Sequence, residues 1–207
     1  LPDEVRKPLV KVFKQAFGLL TKHGTRDTQY QLVYRDLPDQ VCAYCGVSPL
    51  EAPGGPRHHL DHLLKISGYP FAGSDLRNLV PMCERCNVSY KGQDDLAHDH
   101  RGRRRRSFEP YGNHPEYGGV CLSGSQLFSE NGVTPIWNVQ LTGPDEEVET
   151  WDSVWTISRR YRDDVINPRF LRWLRALARH CSHSGFPTNP TELKQKIDYL
   201  IEISEME

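Results

Sequence analysis

Two Cys-x-x-Cys pairs, Cys42/Cys45 and Cys83/Cys86, bracket an Asp61-His62 dipeptide and Asn78. Asn87 follows the last cysteine directly. These are the residues whose types and spacing could do chemistry. Thiolate sulfurs bind zinc tetrahedrally, and a site made of four cysteines is closed and structural. One pair alone would leave thioredoxin-like redox chemistry as a rival. Two pairs favour Zn2+ over redox chemistry and over four unrelated buried cysteines. A carboxylate and an amide oxygen are hard donors suited to Mg2+. An imidazole with a pKa of about 6.5 suits proton abstraction at neutral pH.

These side chains need elements to position them. The 37 residues between the pairs are enough for a β-hairpin. Zinc would then pin both ends of that hairpin to a helix beginning near Cys86. Structural zinc supplies about 10 kcal/mol or more of folding free energy in small peptides. That offsets the modest core of a segment this short. One difficulty stands in the pattern: neighbouring strand residues point to opposite faces. Asp61 and His62 can share a site only where the strand ends or bends.

The segment Arg57–Gly92, RHHLDHLLKISGYPFAGSDLRNLVPMCERCNVSYKG, resembles the HNH nucleases of the ββα-metal class. The resemblance is carried by Asp61-His62, Asn78-Leu79-Val80-Pro81, the second cysteine pair and Asn87, and it covers about residues 41–95. It implies that His62 is the general base that activates water. It implies that Asp61 and Asn87 hold one catalytic Mg2+ (or Mn2+), and that Asn78 orients the loop and the base. Asn87 stands where the family's last letter is His, as in the subset that includes junction-resolving phage endonucleases. An oxygen donor there favours magnesium or manganese over a histidine-bound transition metal. Lys65 and Lys91 are candidate phosphate contacts. If Asn87 opens a helix, the helix N-terminus favours a phosphate too. His58 and His59 either join the site or have a structural or exposed role.

The formal net charge is −1, so bulk charge does not announce a nucleic-acid binder, and its distribution matters more. Residues 101–106 read RGRRRR, and 145–152 read DEEVETWD. These are a basic and an acidic face, or two solvated loops. Within the first, Arg103, Arg104, Arg105 and Arg106 are candidate phosphate contacts. Arg169, Arg172, Arg175 and Arg179 fall on roughly one face of a later helix and would extend such a surface; arginines opposite an apolar stripe are also ordinary. No helix-turn-helix or other sequence-reading motif is present.

Around the motif, residues 7–20 read as an amphipathic helix with Leu9, Phe13, Phe17 and Leu20 inward. Strands are expected at 120–122 and 136–141. Helices are expected at 167–181, capped by Asn167, and at about 190–204, with Asn189 as cap and Leu193, Ile197, Leu200 and Ile201 inward. Cys121 and Cys181 read as free, buried thiols. No run of about 18 apolar residues exists, which excludes a membrane span. Leu1-Pro2-Asp3-Glu4 lacks a signal-peptide pattern, which points to the cytoplasm.

The expected architecture is α+β: a helical segment over 1–40, a zinc-stabilised ββα-metal core over 41–100, and an accessory region over 101–207. That last region is a basic linker followed by short strands and, mainly, helices. The expected function is that of a metal-dependent endonuclease cutting DNA, with RNA as the other candidate substrate. The segments YPFAGSDLRNLVP, FEPYG and WDSVWTISRRY are similar to HNH nucleases of bacterial anti-phage defence, of the Septu type. That likeness implies a larger regulatory partner such as an ATPase. The alternative is a catalytically silent zinc module that binds nucleic acid or protein.

Overall fold

A computed structural model of the chain describes residues 1–37, 39–55, 60–111, 118–126, 135–185 and 187–204. His58 and His59 lie outside these residues, as do the side chains of Leu200 and Ile201. The fold is mixed α+β. Among the described residues, no helix is long and apolar enough to cross a membrane.

Helix α1 (Asp3–Lys22) carries Asp3 and Glu4 in its first turn and Lys22 in its last, matching the helix dipole. Its inward stripe meets the motif: Phe13 packs edge-on against Phe71, and Phe17 lies 4.5 Å from the His62 ring. Gly24, in the left-handed region, turns the chain into α2 (Thr25–Asp36). In sequence it is only a polar stretch within the expected helical segment, because α2 has almost no amphipathic period. It is held through one buried side chain, Tyr30.

Strand β1 (Leu60–His62) pairs antiparallel with β2 (Leu79–Pro81), in the register Leu60↔Pro81, Asp61↔Val80 and His62↔Leu79. The two faces of this short sheet serve different cores. Leu60 and Leu79 join Tyr30 under α1 and α2. Val80 faces the other way, into a core with Cys42, Cys45, Met82, Cys86, Trp151 and Trp155. After β2 comes α3 (Arg85–Lys91), a π-helix closed by the bond from Gly92 N–H to the Asn87 carbonyl. In an α-helix, residues five apart lie about 140° apart around the axis. Widening the ladder to i→i+5 brings them nearly into line, so Cys86 and Lys91 are both buried.

The second sheet pairs β3 (Gly119–Cys121) with β4 (Gln140–Thr142). The expected strand at 136–141 is therefore mostly displaced, with Ile136 contributing only a bridge to Gln126. The acidic run is not a loop, and its Asp145, Glu146 and Glu149 are exposed. It forms α4 (Asp145–Trp155), whose carboxylates open the helix and whose Trp151 and Trp155 complete the cysteine core. Each buried indole removes on the order of 200 Å2 from water, worth about 5 kcal/mol. Both are also anchored: Trp151 Nε1 donates to the Tyr44 carbonyl at 2.7 Å, and Trp155 Nε1 to the Cys86 carbonyl at 3.2 Å. Residues beyond 100 thus finish the core that the cysteines begin.

From Ile157 to Ser184 the backbone stays helical without a break. We call this whole run α5; its segment Tyr161–Ile166 is a π turn. Asn167, expected as an N-cap, has φ −50° and ψ −50° and lies inside this run. Pro168 cannot donate to the ladder, and the wide turn ahead of it absorbs that break. In α6 (Pro190–Ser204), Asn189 Oδ1 accepts from Glu192 N–H at 2.9 Å while Glu192 accepts from Thr188, a reciprocal cap. Ile197, expected inward, is exposed. Cys181 is buried, but Cys121 is only partly so, with its sulfur 2.9 Å from the Ser123 hydroxyl.

Candidate metal centre and the adjoining Asp-His site

The four sulfurs of Cys42, Cys45, Cys83 and Cys86 all lie within 4.8 Å of one another, and Cys45 and Cys83 are 4.0 Å apart. Four sulfurs at 2.3 Å from a tetrahedral zinc would be about 3.8 Å apart. The cluster is therefore close to what the ion requires. Backbone amides already point at the ligands: Ser48 N–H meets Cys45 Sγ at 3.5 Å, and Cys86 N–H meets Cys83 Sγ at 3.4 Å. Contact with the Cys42 sulfur draws the Cys83 thiol down to about 6. The same crowding lowers Cys45 and raises Cys42. The donor set, its burial and its spacing fit structural zinc.

One participant is not visible in the cysteine spacing. Arg160, 5% exposed, places Nη1 at 3.3 Å from Cys86 Sγ and stacks its guanidinium 4.2 Å above the Tyr90 ring. Tyr161 adds its hydroxyl to the Cys45 carbonyl at 3.0 Å. Four thiolates around Zn2+ leave a net charge of −2, and a buried guanidinium is the nearest compensating charge. Arg160→Met should therefore release zinc to a chelator at least about tenfold faster, while Arg160→Lys, which keeps the charge, should recover part of the difference. Such partners beyond the ligands typically contribute about 10–100-fold in metal affinity. A colorimetric zinc-release assay measures this directly, and equal release rates for all three proteins would show that Arg160 acts only by packing.

The Asp-His pair sits on the other end of the same elements. β1 ends at His62, yet the pair still faces two ways. His62 lies with Leu60 towards α1, while Asp61 points towards α3. His62 Nε2 is 2.9 Å from the Gly73 carbonyl. A carbonyl only accepts, so Nε2 carries the proton and Nδ1 is left as the basic nitrogen. Burial lowers the His62 pKa; the Gly73 bond and the Asp61 charge oppose this, and Lys91 and Arg26 add to it. A side chain at Gly73 would meet Ile66 at 2.9 Å, so glycine permits this close approach. Asn78, 7% exposed, holds the loop after β1. Its Oδ1 accepts from Leu64 N–H at 2.8 Å, and its Nδ2 donates to the carbonyls of Leu64 (3.0 Å) and Ala72 (2.9 Å). Its amide is thus spent on the backbone, and it acts as a positioning residue.

Lys91 is 3% exposed, and its Nζ is 2.7 Å from Asp61 Oδ2. The contact is an ion pair without hydrogen-bond alignment. Lys91 is therefore not placed to meet a phosphate, contrary to the sequence reading. Breaking such a pair from one side costs about 3–5 kcal/mol, because the other charge stays buried. Asn87 is on the same π-helix, one turn before Lys91, and is half-buried. It is the third residue of α3 rather than its cap. The oxygens of Asp61 and Asn87 fit a hard divalent ion in kind. Lys91 marks where Asp61 already holds a positive charge, and an ion at that carboxylate would have to share it with Lys91 or displace it.

The remaining basic candidates divide. Lys65 Nζ donates to the Gln93 carbonyl at 2.9 Å. Arg103 pairs with Asp99, and Arg106 with Glu147. Arg105 clamps the Asp95 carbonyl and approaches Ser153. Arg104 is exposed, in a backbone bridge with His98. Much of the RGRRRR run thus holds the chain together. Comparison with family models, with curated proteins and with solved structures finds no match to this chain.

Proposed function

We propose that the protein is a metal-dependent endonuclease with an HNH-type ββα site, cutting a phosphodiester bond of DNA. The observation that carries this reading is the fixed tautomer of His62. The Gly73 carbonyl takes Nε2, in a loop clamped by Asn78, and leaves Nδ1 as the base. In the proposed step, Nδ1 takes a proton from water as the hydroxide forms its bond to phosphorus. The bond from phosphorus to the 3′ oxygen breaks, and that oxygen takes a proton from solvent. Asp61 and Asn87 would hold the divalent ion, whose contribution when bound is charge neutralisation at phosphorus and at the leaving oxygen. The cysteine cluster fixes α3 against the sheet, so it sets the distance between Asp61 and Asn87.

A second reading, a zinc module without chemistry, is favoured by the Lys91–Asp61 ion pair, which occupies the carboxylate the metal needs. Supercoiled plasmid separates the two. Wild-type protein with Mg2+ or Mn2+ should nick it, and Asp61→Asn should lower the rate by at least about 100-fold, as expected when several kcal/mol of charge stabilisation are lost. Wild type inert with either ion, but folded and zinc-loaded, would favour the silent module.

The defence role and its regulatory partner rest on the looser likeness of YPFAGSDLRNLVP, FEPYG and WDSVWTISRRY. The last two segments have local work here. Phe108 packs edge-on against Trp151, Tyr111 donates to the Leu79 carbonyl, and Trp155 is core. Their presence is explained by the fold.

A further inference from the structure

Helix α5 is rooted at the cysteine cluster and runs outward for 28 residues, about 42 Å. Ile157, Arg160 and Tyr161 fix its first turns in or against the core. Arg85 of α3 pairs with its Asp164 at 2.7 Å. Beyond that point its chemistry changes. From residue 165 to 191 there is no Asp or Glu, while Arg169, Arg172, Arg175 and Arg179 recur at spacings of three and four.

Two facts separate this row from an ordinary solvated face. Elsewhere in the chain, seven arginines pair with carboxylates. The four of this row make no such pair among the described residues, and Arg172, Arg175 and Arg179 are exposed. Part of the apolar side of α5 is covered: Phe170 packs edge-on against Trp137, and the His180 ring lies tilted against Tyr199 of α6, while Leu171 and Trp173 are exposed. The cationic side of α5 is left without carboxylate partners among the described residues.

We infer that this arginine row is a docking edge for the sugar–phosphate backbone of a nucleic-acid duplex. The identity of the polyanion rests on the nuclease reading above. From Arg169 to Arg179 the row spans eleven residues and rises about 15 Å. A row of this length can track a short run of phosphates along one strand of a duplex. A rigid row of this length suits a regularly charged rod. Contacts of this kind position a duplex and carry no sequence information, in keeping with the lack of any sequence-reading motif.

The test is fluorescence anisotropy on a labelled random-sequence duplex, with zinc-loaded protein and no added Mg2+ or Mn2+, so that binding is read without cleavage. Arg172→Gln/Arg175→Gln/Arg179→Gln should weaken binding on the order of 100-fold at 0.1 M salt and reduce the slope of log K against log salt by about 2.7. Its melting temperature and zinc content should match the wild type. The control Lys7→Gln/Lys11→Gln/Lys14→Gln, on α1, should bind as wild type does. An equal loss in the control would overturn the inference in favour of diffuse charge attraction. Displacement of the duplex by polyglutamate at equal charge concentration would overturn it in favour of an acidic protein partner. Failure here is separable from failure of the nuclease reading. A wild type that nicks plasmid, with a triple variant that binds normally, rejects only the docking edge. An inert wild type whose binding needs these arginines rejects only the nuclease.

Discussion

Removing zinc, by chelation or by Cys83→Ser, is expected to abolish cleavage and to lower the melting temperature by tens of degrees. In small zinc peptides the bound metal contributes about 10 kcal/mol or more, comparable to the whole stability of a typical domain. The contribution here should be smaller than in an isolated finger, because Trp151 and Trp155 add buried apolar surface to the core that holds the cysteines. Function should still be lost completely. Cys86 and Asn87 are consecutive, and Lys91 faces Asp61 from the same helix. Releasing the sulfurs therefore frees α3 to turn away from β1. Circular dichroism melting and plasmid nicking, each with and without zinc restored, give the two readouts. A metal-free protein that melts and cuts like the loaded one would refute the role given to the four cysteines.

Replacing His62 by Ala should reduce nicking by about 100- to 10,000-fold, the usual contribution of a positioned general base, with little change in duplex binding. The wild-type rate should rise with pH and level off below the ordinary histidine value of about 6.5, since burial holds His62 low. The stability sign follows from the same shift. With the folded pKa below the unfolded one, the folded state binds fewer protons as the ring titrates. The contribution of neutral His62 is therefore full above about pH 6.5 and is lost as pH falls through the lowered folded value. A pH–rate profile with single-turnover kinetics checks the first point, and melting between pH 5 and 8 checks the second. Cleavage surviving in the variant would remove His62 from the mechanism.

The parts of this molecule that sequence displays are those governed by local pattern. The amphipathic stripe of α1, the reciprocal cap of α6 and the two cysteine pairs each announce themselves within a few residues. The strand pair between the cysteines is also legible, although its 16-residue connection is far longer than a hairpin turn. Tertiary contacts decide the rest. The acidic run reads as solvated because its tryptophans, four apart, find their partners some 70 to 110 residues earlier. Arg160 looks like one basic residue among several, and only the fold sets it against Cys86. Lys91 has the position expected of a phosphate contact, but the wide helical turn swings it inward to Asp61. Each miss follows from a charged or aromatic side chain whose burial depends on a distant element.

The π-helix at Arg85–Lys91 has a consequence for how this protein can change. Val88 and Ser89 on its outer side are exposed, so exchanging either side chain should matter little. Losing one of them outright is a different event. The ladder would close as an ordinary α-helix, locally more regular, but the residues on either side would rotate by about 100° relative to each other. Cys86 could then reach the cysteine cluster, or Lys91 could reach Asp61, but not both. This stretch is therefore tolerant of substitution and intolerant of a single-residue deletion, so its length carries more information than its exposed letters.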